Sequence, residues 1–288
     1  MEFTQVRPHL FTAHLEAAHA SACLVVGRTS ALLVDTGSSN QVGAQIRDAI
    51  GAVSAVPLTT VVASHAHWDH ALGLGAFADI ADTIGAEHFD EDLLGVENAT
   101  WAKTHRVNLK KAARPNHHVS LIAVRDLGGI TVEIAHFGQA HTRSDLVVAV
   151  PESQALIVGD LVEDGTPQFD ESTSLDGWVR ALDSLHSLLR DDTVVIPGHG
   201  PALHAGHVAH FRTGLAAIWD QAEWAYHREI HQAEVYDYDQ LQWPWDRATV
   251  ERGIAIAYAE LDARPHLHAT SGQIGPSFNG TGLPISPV

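Results

Sequence analysis

The side chains best suited to chemistry lie together in residues 64–70, which read Ser-His-Ala-His-Trp-Asp-His. The segment follows an apolar run, residues 58–63, that is rich in β-branched side chains and predicts a buried strand ending in a loop. Because side chains alternate along a strand, His65 and His67 leave its end on one side. A bound cation offsets the cost of crowding imidazole and carboxylate groups, so the segment predicts a metal site suited to zinc or iron.

Three downstream segments share one local pattern, in which an apolar strand is followed by a small residue, a candidate ligand and a loop. Residues 137–145 supply His141, residues 155–162 supply Asp160, and residues 194–201 supply His199. Each motif alone is weak, since Gly-Asp and Gly-His-Gly occur by chance. The simplest alternative is a solvated histidine-rich loop, because the chain contains 21 histidines.

Taken in order over roughly residues 5–205, the four segments resemble the metallo-β-lactamase superfamily. Residues 65–70 match its HxHxDH signature, and the later segments are similar to its GxxHTxxD, GD and PGHG motifs. The resemblance implies an α+β fold, a four-layer αββα sandwich with metals at one edge, and argues against the solvated loop. It implies a first metal on three histidines, a second metal on two histidines and an aspartate, and a bridging aspartate. The first metal would bind His65, His67 and His141, and the second would bind His70, His199 and Asp69. The bridging aspartate would be Asp160.

The same resemblance implies a reaction. Two zinc ions, with iron or manganese kept open, would lie about 3.5–4 Å apart and share one water whose pKa falls to near neutrality. The resulting hydroxide would attack the carbonyl of an ester, thioester, lactone or related small molecule. Asp69 is the candidate catalytic residue, because its carboxylate can orient the nucleophile and pass a proton to the leaving group.

Other functions of the superfamily remain alternatives. β-Lactam hydrolysis is disfavoured, because the true β-lactamases lack a bridging aspartate and one large subgroup uses a cysteine ligand, whereas Cys23 lies far from every motif here. An iron oxidoreductase of the persulfide dioxygenase kind keeps HxHxDH but binds one metal. A binding protein that has lost catalysis is a third alternative, although such proteins usually lose ligands. The best likeness is to the glyoxalase II-like and quinoprotein-relay-like branch.

The chain divides into three predicted parts: a catalytic core (1–205), a C-terminal helical region packed on the core (206–263) and an extended tail (264–288). Hydrophobic spacing predicts one helix from residue 40, capped by Ser38 or Ser39, and others over 72–81, 91–106, 175–189, 205–231 and 249–261. Residues 12–26 are predicted to form one long strand. A hairpin is predicted to turn at Gly128 and Gly129.

A substrate pocket is expected beside the metals. Trp68 supplies no metal-binding atom and is predicted to form one wall. Residues 163–171 follow the candidate bridging aspartate directly, and Phe169 would give this loop an apolar lip. The C-terminal helical region, which holds four of the seven tryptophans, would complete the pocket or pack on the core.

Composition limits the partners. The formal charge of −18, from 35 acidic and 17 basic residues, argues against nucleic acid and anionic membranes. No apolar run reaches the roughly 18 residues of a membrane span. The single cysteine allows no internal disulfide, so we expect a cytoplasmic location. The expected partner is a small-molecule substrate, and a homodimer stays open.

Overall fold

Two mixed β-sheets form the centre of the chain, in a computed structural model that describes residues 1–16, 19–238 and 243–264. The first sheet contains, in spatial order, β1 (Thr4–Arg7), β2 (Leu10–His14), β3 (Ser21–Val26), β4 (Ala31–Val34), β5 (Leu58–Val62), β6 (Asp82–Ala86) and β7 (His117–Val119). The second contains β8 (Ile122–Asp126), β9 (Thr131–Ala135), β10 (Val147–Val150), β11 (Ala155–Gly159), β12 (Val194–Pro197) and β13 (Leu203–His204), also in spatial order. Strands β4 to β7 are parallel, as are β11 and β12. The loops that follow the carboxyl ends of β5 and β11 carry candidate ligands.

Helices connect and cover the sheets. They are α1 (Asn40–Val53), α2 (Trp68–Ala71), α3 (Phe89–Asp92), α4 (Val96–His105), α5 (Leu175–His186), α6 (Ala205–Tyr226) and α7 (Arg247–Ala263). The hydroxyl of Ser39 accepts a hydrogen bond from the Val42 amide, which confirms the predicted cap of α1. Within the described ranges, no helix combines the length and apolar character needed to cross a membrane.

Alternating side chains assign the layers. On β4, Leu32 and Val34 face a core shared with the second sheet, whereas Leu33 faces the core beneath α1. On β11, Ile157 faces the first sheet and Leu156 faces the C-terminal helices. Two sheets pressed together, each with helices on its outer face, form the predicted αββα sandwich.

The C-terminal helices pack on the outer face of the second sheet. Residues of α6 and α7 share one apolar cluster with α5, and Trp178 of α5 is fully buried in it, its indole N–H donating to the Leu161 carbonyl at 2.9 Å. The boundaries of the three predicted parts remain predictions. The tail predicted over 264–288 lies, apart from Arg264, outside the described residues.

Some predicted elements differ from the structure. Residues 12–26 form parts of two strands, because the chain leaves the sheet after His14 and returns at Ser21, with Ala20 bridged to His199. The helix predicted over 72–81 is reduced to the short 3₁₀ turn Leu74–Ala76. Gly73 precedes this turn and packs against another loop so closely that a Cβ there would meet the Thr36 carbonyl oxygen at 2.0 Å. The hairpin turns as predicted, with positive φ at Gly128 and Gly129.

Candidate metal centre

Strand ends bring the seven predicted ligands together at one edge of the sandwich. His65 and His67 follow β5, Asp160 follows β11 and His199 follows β12. Two glycines make the approach possible. Gly159 has a φ of +53°, and a Cβ at Gly198 would lie 1.9 Å from an Asp160 oxygen. The small residues of the GD and PGHG motifs are therefore required by the close packing around Asp160.

The first group of ligands is buried and consists of His65, His67, His141 and Asp160. Nδ1 of His67 lies 3.0 Å from Nε2 of His65 and 3.2 Å from Nε2 of His141. Oδ2 of Asp160 lies 3.7 Å from Nε2 of both His65 and His141. Three ring nitrogens and one carboxylate oxygen thus converge on one point, as in a four-ligand metal site.

The second group consists of Asp69, His70 and His199. The Nε2 atoms of the two histidines are 3.2 Å apart, and Oδ2 of Asp69 lies 3.6 Å from that of His70 and 3.3 Å from that of His199. The His199 side chain is 23% exposed, whereas the other ligand side chains of the centre are at most 8% exposed. The centre therefore faces solvent on the His199 side.

Asp160 joins the two groups. Its Oδ2 lies 3.4 Å from Nε2 of His199 and its Oδ1 lies 3.5 Å from Nε2 of His70. Oδ1 is buried and has no hydrogen-bond partner among the described residues. An unpartnered buried carboxylate oxygen is costly unless a cation binds it. Together with the nitrogen donors, this oxygen fits a metal site of the metallo-β-lactamase fold.

A single buried carboxylate, Asp35, supports one histidine of each group. It accepts hydrogen bonds from the Ser64 amide (2.7 Å), the Ser64 hydroxyl (2.9 Å) and Nδ1 of His70 (2.9 Å). The Ser64 hydroxyl in turn lies 3.1 Å from Nδ1 of His65. Because the Nδ1 atoms of His65 and His70 make these contacts, their Nε2 atoms face the metal centre. The sequence offered a signal, the family-like Asp35-Thr36-Gly37 turn, but this role was not predicted.

Two residues of the loop 163–171 hold the remaining histidines of the first group. Oδ2 of Asp170 accepts from Nε2 of His67 at 2.9 Å, and the Gln168 carbonyl lies 3.0 Å from Nδ1 of His141. Sequence reasoning missed both residues. Phe169 differs from the expected pocket lip, since it is 4% exposed and its ring packs edge-on against Trp178. Flanked by two anchored neighbours, its side chain points into the apolar core.

Trp68 does line a cavity, a groove of about 440 Å³ beside His67. We call it the aromatic groove, and its lining includes residues of α2, α4, the loop 163–171 and α7, namely Trp68, Glu97, Trp101, Asp170, Glu171 and Arg252. The predicted participation of that loop and of the C-terminal helical region therefore agrees with this groove, whereas the role of the groove in substrate binding stays a prediction.

Burial sets the charge state of two histidines. It lowers the pKa of His65 well below the ordinary 6.5, helped by the neighbouring His70. Burial, with the charge of His67, lowers the pKa of His141 to about 4. Both imidazoles are therefore neutral at pH 7, which is the form that binds metal.

Three other histidines have raised pKa values. Burial lowers the pKa of His67, but the hydrogen bond to Asp170 and the negative charges of Glu97, Asp170 and Asp160 together outweigh burial, and the pKa is about 9. At His70 and His199 burial is outweighed by the carboxylates of the centre, which raise the pKa to about 10 and about 11. Their protonated forms stabilise the metal-free fold fully below pH 6.5, and this contribution is lost as the pH rises through about 9 to 11.

We expect metal binding at pH 7 to release more than one proton per chain. Zn²⁺ binds neutral imidazole, so His67, His70 and His199 must lose the protons that their raised pKa values retain. Calorimetric titration of metal-free protein with Zn²⁺ in two buffers of different ionisation enthalpy gives the number. The number of protons released per chain should fall above pH 9. Heats that do not depend on the buffer would contradict the charge states described above.

We expect Asp35→Asn to weaken metal binding by about 10- to 100-fold, the usual cost of losing a group that orients metal ligands. Asn tolerates the left-handed backbone at this position, where φ is +67°, so the change tests the carboxylate. Competition with a chelator measures affinity. Asp126→Asn is the matched control, because Asp126 accepts hydrogen bonds from the Gly128 and Gly129 amides, far in sequence from the ligands. Equal affinity in both variants would exclude the supporting role.

Comparisons with known proteins agree with this geometry. The chain is 24% identical over 160 residues to metallo-beta-lactamase IND-1 of Chryseobacterium indologenes. The aligned residues make up 54% of this chain and 61% of that protein. It is 21% identical over 199 residues to metallo-beta-lactamase type 2 of Bacillus sp. (strain 170), covering 68% and 72%. The chain therefore spans less than two thirds of the length of the Chryseobacterium relative.

Solved structures extend the likeness of fold. A metallo-beta-lactamase from Pontibacter korlensis superposes with a TM-score of 0.61 at 21% identity, over 75% of this chain and 98% of that one. The sec-alkylsulfatase Pisa1 from Pseudomonas sp. superposes with a TM-score of 0.72 at 15% identity, over 90% of this chain and 50% of that one. The family model of the metallo-beta-lactamase superfamily matches residues 17–199. Because this match covers more than half of the chain, the protein belongs to the metallo-β-lactamase superfamily.

Proposed function

We propose that the protein is a dinuclear zinc-dependent hydrolase that attacks the carbonyl carbon of a small-molecule ester, thioester, lactone or related compound. The observation that carries the proposal is the place of Asp160. Its carboxylate lies between two groups of ligands, and its Oδ1 has no hydrogen-bond partner among the described residues. Its Oδ2 lies 3.7 Å from Nε2 of His65 and 3.4 Å from Nε2 of His199, and a carboxylate within reach of both groups suits two cations better than one.

His65, His67, His141 and Asp160 would hold the first ion, and Asp69, His70 and His199 the second, with Asp160 shared. When bound, a pair of such ions makes a water nucleophilic near neutral pH and polarises a carbonyl oxygen. Asp69 then acts as the acid–base residue. Burial raises its pKa, but His70 and His199 outweigh this and the pKa is lowered. Its carboxylate is therefore ionised at pH 7 and can take a proton from the nucleophile and pass it to the leaving group.

Three other functions are included in the test: two are suggested by the comparisons with known proteins, and one by the sequence. Both named sequence relatives are metallo-β-lactamases, so β-lactams belong among the trial substrates, although Asp160 disfavours β-lactam hydrolysis as the main activity. The alkylsulfatase likeness extends over 90% of the chain and adds a secondary sulfate ester. A persulfide dioxygenase-like enzyme would bind a single iron.

The test combines metal analysis with a substrate panel. We expect purified protein to bind about two zinc ions per chain and to hydrolyse a carbonyl substrate faster than the β-lactam and the sulfate ester. Chelation should abolish turnover, and zinc should restore it. One iron per chain with oxygen consumption would favour the oxidoreductase instead. Two zinc ions with no turnover of any panel member would favour a binding role.

A further inference from the structure

We propose that the aromatic groove is the specificity site of this enzyme, and that it selects substrates with an aromatic group that ends in an anion, which Arg252 binds. The inference deepens the proposed hydrolase function and rests on it. It concerns the part of the substrate that does not react. The groove touches the metal centre through His67, whose Nδ1 faces the other ligands while its Nε2 faces Asp170 and Glu97 of the groove, at 2.9 and 3.7 Å.

One wall of the groove is a column of parallel rings. The rings of Trp68 and Trp101 stack with centroids 4.7 Å apart and planes at 13°, and His105 stacks on the other face of Trp101 at 4.2 Å and 18°. Trp101 and His105 lie one turn apart on α4, so the helix presents them on one side. Both indoles are only half-buried. Because both faces of the Trp101 ring are covered, this ring offers its edge, and a ring edge favours the face of an incoming aromatic group.

The charges lining the groove are mostly engaged within the protein. Asp170 accepts hydrogen bonds from His67 and from the Ser172 amide and hydroxyl. Glu171 accepts one from the Val96 amide at the start of α4, which fixes the loop to this helix. Glu97 faces the imidazole of His67. Among the described residues, no lysine or arginine forms an ion pair with any of these three carboxylates.

Arg252 is the exception. Its guanidinium has no hydrogen bond or ion pair within the part of the chain that the structure describes, and its side chain is exposed. It lies where the groove meets a second cavity of about 470 Å³ along α7. In a chain with a formal charge of −18, an unpaired guanidinium opposite an aromatic wall is the group that would hold an anion. The groove volume of about 440 Å³ suits a substrate of two fused rings.

The test uses three acetate esters of primary alcohols with the same two-ring outline: (6-carboxy-2-naphthyl)methyl acetate, 2-naphthylmethyl acetate and its saturated analogue decahydro-2-naphthylmethyl acetate. We expect the zinc-loaded enzyme to prefer them in that order. Arg252→Gln should lower kcat/KM for the carboxylated ester by about 10- to 100-fold, because a hydrogen bond to a charged group contributes about 1.5–3 kcal/mol. The loss should be in KM, since the contact lies away from the reacting bond. Hydrolysis of 2-naphthylmethyl acetate, which carries no anion, should fall far less than that of the carboxylated ester, and Arg252→Lys should restore part of the loss.

Trp101→Ala should lower kcat/KM for both naphthyl esters by about tenfold. Trp101→Phe should lower it less, because Phe keeps a ring at the same place. Arg228→Gln is the matched control. Arg228 is also an arginine beside a tryptophan, with its guanidinium 4.4 Å from the Trp224 ring centre, but it is not part of the groove lining. This control should leave all three esters unaffected. Equal losses in Arg252→Gln and Arg228→Gln, or equal turnover of the saturated ester and 2-naphthylmethyl acetate, would overturn the proposal.

A binding experiment separates the groove from the reaction. Calorimetric titration of the zinc-loaded protein with naphthalene-2-sulfonate, an anion that is not hydrolysed, should show one site that Arg252→Gln and Trp101→Ala both weaken. If this binding is found but no ester, thioester or lactone is cleaved, the proposed hydrolase function fails and the groove stands. If esters are cleaved while the sulfonate binds equally to all variants, the groove proposal fails and the hydrolase function stands.

Discussion

Asp69→Asn should reduce hydrolysis of the best carbonyl substrate by at least about 10²-fold, the usual effect of losing an acid–base group. The substitution keeps the side-chain volume and removes a charge that lies 3.3 Å from Nε2 of His199 and 3.6 Å from Nε2 of His70. The second metal would bind more weakly and the proton would lose its carrier. Because Asp69 is a short side chain at the edge of the centre, the sheets and helices should keep their packing. Steady-state kinetics, metal analysis and circular dichroism together test this.

Asp79→Asn is the control for Asp69→Asn. Asp79 is an exposed aspartate paired with Arg47, and such a pair contributes at most about 1 kcal/mol to stability. Its loss should leave turnover and metal content unchanged. Near-normal turnover of Asp69→Asn with both metals bound would show that Asp69 carries no essential proton, and the one-metal oxidoreductase or the binding role would then gain support.

Local sequence pattern predicts the candidate ligands because each follows an apolar strand within eight residues. His65, Asp160 and His199 are found in this way, and the strand ends do bring them together. Asp170 and Gln168 could not be found, since they lie in an irregular loop whose path depends on contacts with α4 and with His67. No periodicity or propensity encodes such a path.

The fold likewise contains features that local sequence predicts and features that it does not. Helix α5 begins at the predicted residue, because Ser174 caps it and its apolar face repeats at helical spacing. The spatial order of the strands could not be derived from propensity. Pairing between β11 and β12, for example, joins residues 39 positions apart across α5 (Ala155 with Val194), and only the resemblance to the superfamily predicted such a sandwich. Arg252 and Trp101 meet in one groove although about 150 residues separate them, and no short-range signal predicts that.

The largest effect should come from Asp160→Asn. The substitution leaves an amide where one carboxylate serves both groups of ligands, so the nitrogen of that amide would face a cation on at least one side. We expect the metal content to fall from about two ions per chain to one or fewer. Because a metal ion contributes several kcal/mol to a transition state, losing one should lower turnover by about 10³-fold.

Thermal unfolding gives a second readout for Asp160→Asn that does not require a substrate. A ligand at 100 times its Kd stabilises the folded state by about 2.7 kcal/mol, and for a chain of this size that raises Tm by roughly 4–5 °C. The unmodified protein should show this rise with Zn²⁺, and so should Asp79→Asn. Asp160→Asn should lose most of it. A full rise in that variant would mean that zinc does not bind between the two groups, and the dinuclear centre would be wrong.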